Sequence, residues 1–205
     1  MGLSYWQLSE CWPVMRWAAI EGDGKPKPLW HATRRFYADR ALTIQPDEHC
    51  LPTLYATNDT DEPWRGDLRL ARMTMDGQTL VDGEDAFDLA PRSTAAVFSF
   101  GPAFGSPSDP TREFLCAEGD GQRALRFFNP DKLLHYPAPD FDAELTTAGP
   151  RHTLRIKAKT LLRNVIIAAD RLHPDATVSD QAFTLLPNDE KVLEIESPVA
   201  FDRDA

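Results

Sequence analysis

The sequence predicts a mainly β protein in which two immunoglobulin-like β-sandwiches follow a single β/α unit. Beyond residue 39, short runs with strand character are separated by turns rich in Asn, Asp, Gly and Pro, a pattern typical of sandwiches. Residues 154–159 alternate apolar and basic side chains, as in a strand with one buried face. Before residue 39, the pattern contains one strand-like run and one helix-like run.

The β/α unit comes first in the chain. Residues 2–8 are apolar and aromatic, which indicates a buried strand. A proline suits the first turn of a helix, and Leu29, Ala32 and Phe36 recur with helical spacing, so we predict a helix over 28–39. Because one such unit cannot cover both faces of its strand, we expect it to be part of a larger domain.

The predicted strands beyond residue 39 divide into two modules. We expect a first sandwich over 40–136 and a second, smaller one over 137–205, joined by the proline-rich stretch Tyr-Pro-Ala-Pro at 136–139. In the first sandwich, the alternation of residues 68–75 slips by one position near Ala71, which predicts a bulge. The expected strands are 41–45, 51–57, 67–75, 94–100, 112–117, 123–128, 154–159, 162–169, 176–179, 182–185 and 191–196.

The charge and composition exclude several classes of partner. The net charge is −10, from 32 acidic and 22 basic residues, so we expect neither nucleic acid nor an anionic membrane surface as a partner. No apolar run approaches the roughly 20 residues of a spanning helix, and no signal peptide is recognisable. We therefore expect a soluble chain whose compartment is unknown, with three reduced cysteines.

Motifs for metals and cofactors are absent from the sequence. The five histidines are scattered, without ligand spacing. The acidic residues Asp82, Glu84, Asp85 and Asp88 lack the regular spacing of a calcium loop, so we interpret them as a solvated acidic turn. There is no phosphate loop and no dinucleotide fingerprint. We expect no metal site and no cofactor.

Aromatic residues concentrate at the start of the chain, where four of the five tryptophans lie within the first 30 residues. A packed core or a docking face is the simplest interpretation for Trp17 and Trp30. Trp6 differs, because it lies where the predicted strand runs out into a loop. Barrel enzymes place substrate-facing groups at such positions, and a flat indole suits the apolar face of a sugar.

Three stretches of sequence resemble β-mannosidases of glycoside hydrolase family 2. The first two resemble the last strand and helix of that family's catalytic barrel, and the third resembles its Ser-Asp-Asn-x-Phe-x-Leu-Leu-Pro stretch near the C-terminus. Ser9 and Glu10 depart from the Asn-Asp that the family usually has there. The first stretch is Tyr-Trp-Gln-Leu-Ser-Glu-Cys-Trp-Pro at 5–13, continued by Trp-Ala-Ala-Ile-Glu at 17–21. The second is Gly-Lys-Pro-Lys-Pro-Leu-Trp-His-Ala-Thr-Arg-Arg-Phe-Tyr at 24–37, and the third is Ser-Asp-Gln-Ala-Phe-Thr-Leu-Leu-Pro at 179–187.

The resemblance implies a function for a longer parent protein. Residues 1–39 would be the last strand and helix left over from a (β/α)8 TIM barrel, followed by the two sandwiches. The parent would hydrolyse terminal β-D-mannosides with retention, through a covalent intermediate. Trp6, with Gln7 or Glu10, would line the sugar subsite. The family's two catalytic glutamates have no matching positions, so we expect no catalytic residue here and an inactive chain.

Two other functions remain open from the sequence. One is a sister activity of the same enzyme family, such as β-galactosidase, β-glucuronidase or exo-glucosaminidase. The other is a non-catalytic carbohydrate-binding protein built of sandwiches. The expected partners are a β-mannoside, bound through the parent barrel, and the rest of that barrel. In the isolated chain, residues 1–38 would pack on the first sandwich through Leu29, Trp30 and Phe36, or would mediate self-association.

Overall fold

The chain forms two compact units, described by a computed structural model for residues 6–12, 14 and 16–199. One unit is Tyr37–Ala138, and the other combines Met1–Phe36 with Pro139–Ala205. The N-terminal residues therefore group with the C-terminal sandwich. The described helices and strands are α1 (Pro28–Phe36), β1 (Arg40–Pro46), β2 (Pro52–Asn58), β3 (Trp64–Thr74), β4 (Thr79–Leu89), β5 (Ser93–Ser99), α2 (Pro102–Gly105), β6 (Glu113–Gly119), β7 (Gln122–Phe127), β8 (Phe141–Ala148), β9 (Arg151–Ala158), β10 (Leu162–Val165), β11 (Thr177–Val178), β12 (Phe183–Leu185) and β13 (Glu190–Glu196).

The unit of residues 37–138 is a sandwich of two antiparallel sheets. One sheet has the strand order β1-β2-β5, and the other has the order β4-β3-β6-β7. Side chains from both sheets meet in a single hydrophobic cluster, and removing them from water is the main force that holds the sheets together. The prediction of a mainly β fold is confirmed. The buried members of this cluster are Leu42, Ile44, Leu54, Ala56, Trp64, Leu68, Leu70, Phe87, Leu89, Phe100, Leu115, Ala117 and Ala124.

The long hairpin of β3 and β4 differs from the expected pattern. The acidic residues of the expected turn lie on strand β4, whose Asp85 is opposite Leu68 on β3. Asp and Gly are depleted in strands, which is why this strand escaped prediction. Phe87 and Leu89 anchor its end in the core. The register of the hairpin shifts between Arg72 and Met73, next to the bulge predicted near Ala71.

The C-terminal sandwich pairs a four-stranded sheet, ordered β11-β13-β9-β8, with the two-stranded sheet β10-β12. The predicted alternation of residues 154–159 is confirmed, since Ile156 and Ala158 are buried while Arg155 and Lys157 are exposed. Strand β8 escaped prediction, because nearly all its residues are exposed and it carries little apolar pattern. The buried core residues are Ile156, Ala158, Leu162, Phe183, Leu185 and Leu193.

The N-terminal residues contain the expected helix. It begins at Pro28 as predicted and ends at Phe36, three residues early, because the chain turns into β1 at Arg40. Of the strand predicted over residues 2–8, residues 2–5 lie outside the described residues, and residues 6–8 are not in a strand. The described polar contacts of the helix run to the C-terminal sandwich, and Phe36 is exposed.

Candidate functional site

The three residues expected at a sugar subsite have different environments. Trp6 is 77% exposed, so its indole face is open to a ligand. Gln7 is half-buried and joined to Trp6 by a cis peptide bond. Glu10 is buried, and its Oε1 lies 2.9 Å from Nζ of Lys27. The carboxylate of Glu10 is thus engaged within the chain, whereas the ring of Trp6 is not covered.

Backbone hydrogen bonds hold this region in place. The Leu8 carbonyl accepts hydrogen bonds from the amides of Ala19 and Ile20, at 3.1 and 2.9 Å. The Glu10 amide donates to the Ile20 carbonyl, and the Lys27 amide donates to the Ala19 carbonyl. Three short segments therefore run side by side. We call residues 8–10, 19–20 and 25–27 the N-terminal framework.

Aromatic side chains next to the framework are exposed. Trp12 and Trp17 are 58% and 67% exposed, and Leu8 is also open to solvent. The guanidinium of Arg16 lies 5.9 Å from the centroid of the Trp12 ring, within cation–π range. A core role for Trp17 is wrong, and a docking face remains. Exposed apolar side chains in such number are typical of an interaction surface.

A second cluster surrounds Asp180, which lies just before β12 with its side chain 12% exposed. The Asp180 carboxylate is 2.7 Å from Nη1 of Arg35 on helix α1 and 2.7 Å from Nζ of Lys191 on β13. Arg35 also donates to the carbonyls of Gln181 and Ala182, at 2.9 and 2.7 Å. Such fork-like, charge-assisted hydrogen bonding fixes geometry more firmly than a single ion pair.

The Asp180 cluster joins two of the stretches that carry the family resemblance. Arg35 belongs to the stretch 24–37 and Asp180 to the stretch 179–187, and 145 positions separate them. The sequence alone indicates that each residue belongs to a stretch that resembles the family. Their contact could not be predicted, because no local pattern reports a pairing over such a separation. The sequence gives no sign of the role of Lys191, because an isolated lysine in a strand carries no motif, and it assigns no role to Lys27 beyond its place in the second stretch.

His31 on helix α1 is a buried titratable group next to the Asp180 cluster. Its Nδ1 is 3.6 Å from the Asp180 carboxylate and makes no hydrogen bond among the described residues. Burial lowers the pKa of His31, Asp180 opposes this, and Arg34 and Arg35 lower it further. Burial would raise the pKa of Asp180, but the bonds from Lys191 and Arg35 outweigh it and lower the pKa.

These shifts predict that stability falls on acidification. A histidine with a lowered pKa in the folded state is protonated first in the unfolded chain, so stability is complete above pH 6.5 and is lost below it. Asp180 acts in the same direction below its ordinary value of 3.8. We expect the unfolding free energy of the wild type to decrease between pH 7 and 5, and that of His31→Gln to decrease less.

The measurement is urea denaturation at half-unit steps from pH 5 to 8. His49→Gln is the control, because the His49 side chain is 74% exposed. Its pH dependence should match that of the wild type. Equal slopes for His31→Gln and the wild type would show that His31 carries none of the dependence.

A cleft of about 450 Å³ lies between the N-terminal residues and the C-terminal sandwich. Polar side chains that line the cleft already form hydrogen bonds and ion pairs within the chain. The Gln181 amide exchanges two hydrogen bonds with the backbone of Ile167, at 2.7 and 2.8 Å. Lys25 is held by Asp23 and Asp175, each at 3.1 Å. The side chains that line the cleft therefore hold its walls together.

Neither a metal-binding cluster nor a membrane-spanning helix is found in the part of the chain that the structure describes. Among these residues, no group of three or more His, Cys, Asp or Glu side chains is arranged to hold a metal ion. Within the same ranges, no helix has the length and apolar character needed to cross a bilayer.

Similarity to known proteins covers most of the chain. Residues 53–123 match the family model of the Mannosidase Ig/CBM-like domain. A β-mannosidase A from Aspergillus terreus is 27% identical over 78% of the chain, and a β-mannosidase B from the same organism is 22% identical over 95%. The chain spans only 18% and 25% of these two relatives.

Solved structures share the fold. A β-D-mannosidase from Dictyoglomus thermophilum matches 96% of the chain with a TM-score of 0.78 and 21% identity, and the match covers 24% of that protein. An exo-chitosanase from Amycolatopsis orientalis matches 93% of the chain with a TM-score of 0.59 and 12% identity, covering 27% of its own length. The domain match, the sequence relatives and the shared fold agree: the chain is similar, over most of its length, to the C-terminal part of β-mannosidases.

Proposed function

We propose that the chain is the C-terminal portion of a retaining β-mannosidase that releases terminal β-D-mannose from glycosides and oligosaccharides. The observation that carries the proposal is the match of 78% of the chain to a protein named β-mannosidase. The corresponding region makes up only 18% of that relative. The catalytic barrel would then be supplied by the rest of a longer protein, with residues 1–39 as its last strand and helix.

We also propose that the chain alone is not catalytic. Retaining glycosidases need two carboxyl groups about 5–5.5 Å apart, one of them a general acid with a raised pKa. The buried carboxylates of the described residues are each held by a cation: Glu10 by Lys27, Glu113 by Arg72, and Asp180 by Arg35 and Lys191. Carboxylates engaged by cations in this way hold parts of the structure together.

The role proposed for the sandwiches is mechanical support of the barrel. Arg35 on helix α1 is bound to the loop before β12 through Asp180, Gln181 and Ala182. In the complete enzyme, this contact would fix the last barrel helix against the C-terminal sandwich. Trp6, at the end of the last barrel strand, would then keep a constant position relative to the sugar.

The exposed aromatic residues fit a missing partner. Trp6, Trp12 and Trp17 would be covered in part by the rest of the barrel and, for Trp6, by the β-mannoside. In the isolated chain, the same surface favours self-association. We propose no metal or cofactor for the reaction, because retaining glycoside hydrolysis needs only the two carboxyl groups.

An assay of turnover tests the proposal. The purified chain should not hydrolyse an aryl β-mannoside, whereas the longer protein that carries it should, with retention of configuration. Turnover by the chain alone would contradict its non-catalytic role. A longer protein that hydrolyses β-glucosaminides and leaves β-mannosides intact would favour the sister activity, which the shared fold with an exo-chitosanase makes the second candidate.

Carbohydrate binding without catalysis is the third candidate, and the description of the matched domain as Ig/CBM-like favours it. Titration of the chain with mannose and manno-oligosaccharides separates it from the other two. A dedicated binding module should bind in the absence of a barrel. A supporting module should show no saturable binding.

A further inference from the structure

We infer that Glu10 and Lys27 form a positioning pair that holds the segment carrying Trp6, and that Glu10 is not itself a sugar ligand. The inference rests on the proposed sugar subsite at Trp6. It assigns the two residues a role in orienting Trp6 through the backbone that carries it. It also replaces the expectation, drawn from the family resemblance, that Glu10 contacts the sugar.

Glu10 and Lys27 are much less exposed than Trp6. The side chain of Glu10 is 1% exposed, and that of Lys27 is 18% exposed. A carboxylate that binds a sugar hydroxyl must be reachable from the subsite, as Trp6 is with its 77% exposure. Glu10 is closed off from solvent, so direct contact with a ligand would require the framework to open.

The electrostatics of Glu10 point to dependence on Lys27. Its Oε1 accepts a hydrogen bond from Nζ of Lys27 at 2.9 Å, and its Oε2 is buried without a hydrogen bond among the described residues. A buried carboxylate is tolerated only when a cation compensates its charge. Nζ of Lys27 also donates to the Arg16 carbonyl at 3.3 Å. One ammonium group thus links two points of the segment that precedes helix α1.

The connection to Trp6 is made through the backbone. Leu8 lies two residues after Trp6, and its carbonyl binds the amides of Ala19 and Ile20. Ala18 and Ala19 are buried at 1% and 0% exposure, and small side chains there allow the framework segments to approach closely. Since the Trp6 side chain is exposed, the anchoring of its backbone at Leu8 decides where the indole points. Glu10 and Lys27 lie in the two outer segments of this framework, which flank residues 19–20.

The first experiment measures amide hydrogen exchange in the purified chain. The amides of Ala19, Ile20 and Lys27 report on the framework, because each donates a hydrogen bond within it. In Glu10→Gln and Lys27→Met we expect exchange at these amides to be about tenfold faster. Lys27→Arg keeps the charge and should retain protection. Glu196→Gln removes an exposed ion pair with Arg151, outside the framework but in the same unit, and should exchange like the wild type.

The second experiment uses steady-state kinetics in the longer protein with an aryl β-mannoside. Trp6→Ala should raise KM with a smaller effect on kcat, since stacking on a sugar is binding energy present in both ground and transition states. Lys27→Met should shift KM in the same direction. In the Trp6→Ala background, Lys27→Met should have no further effect, because the pair acts through Trp6.

The outcomes separate the inference from the proposed function. If Trp6→Ala leaves KM unchanged, the sugar subsite itself is wrong. If Trp6→Ala raises KM and Lys27→Met acts additively with it, the subsite stands and the positioning role is overturned. Unchanged exchange in Glu10→Gln would overturn the inference in the isolated chain, whatever the kinetics show.

Discussion

Replacing Asp180 by Asn is expected to destabilise the unit formed by the N-terminal residues and the C-terminal sandwich by about 2–3 kcal/mol. Asn keeps the shape of Asp180 but removes the charge that compensates Arg35 and Lys191. Breaking a fully buried ion pair costs about 3–5 kcal/mol. The loss of unfolding free energy expected for Asp180→Asn is smaller, because Arg35 and Lys191 keep contact with water.

Urea denaturation followed by tryptophan fluorescence measures this effect, because Trp6, Trp12, Trp17 and Trp30 all lie in the affected unit. Asp175→Asn is the matched control: Asp175 pairs with Lys25 in the same unit, but its side chain is 63% exposed. That variant should unfold like the wild type, since exposed pairs contribute little. Identical midpoints for Asp180→Asn and the wild type would contradict the prediction.

A double-mutant cycle assigns the loss to the contact between α1 and β12. Arg35→Met alone removes the bonds to Asp180, Gln181 and Ala182. If the pair acts as a unit, the double variant Asp180→Asn with Arg35→Met should lose less than the sum of the two single losses. Strict additivity would show that the two residues contribute separately, and the proposed support of the barrel helix would lose its main contact.

Much of the fold follows from local sequence patterns. Strand β2 combines β-branched and aromatic residues between clear turns, and the alternation of β9 separates a buried from a charged face. Helix α1 begins at the proline that predicted it. These elements are specified by side chains that lie close together in the sequence, so a short window contains the signal.

The elements that escaped prediction are held by distant contacts. Strand β4 contains Asp82, Gly83 and Glu84, which locally indicate a turn, yet it pairs along its full length with β3. Strand β8 is an edge strand with almost no buried side chain and is specified by its pairing with β9. In both cases the partner strand supplies the hydrogen bonds, and tertiary context overrides local propensity.

The candidate site likewise has features that the local sequence predicts and features that depend on distant contacts. The exposure of Trp6 could be anticipated, because an aromatic residue where a predicted strand runs out into a loop suits the face of a sugar. The burial of Glu10 could not, because an acidic residue in a loop is ordinarily exposed. Lys27 explains the difference, and its contact with Glu10 across 17 positions appears only in the folded chain.

The largest loss of stability is expected in the first sandwich, at the buried pair of Arg72 and Glu113. Their side chains are 11% and 5% exposed, with Nη1 of Arg72 2.9 Å from Oε2 of Glu113. Arg72 also donates to the Ser106 carbonyl at 2.7 Å, and Glu113 accepts the Asp109 amide at 2.8 Å. The pair therefore ties the loop between β5 and β6 to the sheet.

Glu113→Gln should cost about 3–5 kcal/mol of unfolding free energy, because Arg72 then stays buried without a compensating charge. The loop amides of Asp109 and Ser106 should exchange faster, which distinguishes loss of the pair from a general weakening of the sandwich. Asp88→Asn is the control in the same sandwich, since Asp88 and Arg65 form an exposed pair. That variant should be indistinguishable from the wild type in urea denaturation followed by circular dichroism.

An apolar replacement of both partners separates the cost of an unpaired charge from the value of the pair. Buried ion pairs are often replaced by packed apolar residues without loss, because the desolvation of both charges is then avoided. Arg72→Met with Glu113→Leu should therefore be more stable than Glu113→Gln alone. It should remain below the wild type, because Leu cannot accept the Asp109 amide and Met cannot donate to the Ser106 carbonyl. A double variant as unstable as Glu113→Gln would contradict this expectation, because removing the uncompensated charge of Arg72 would then have brought no gain in stability.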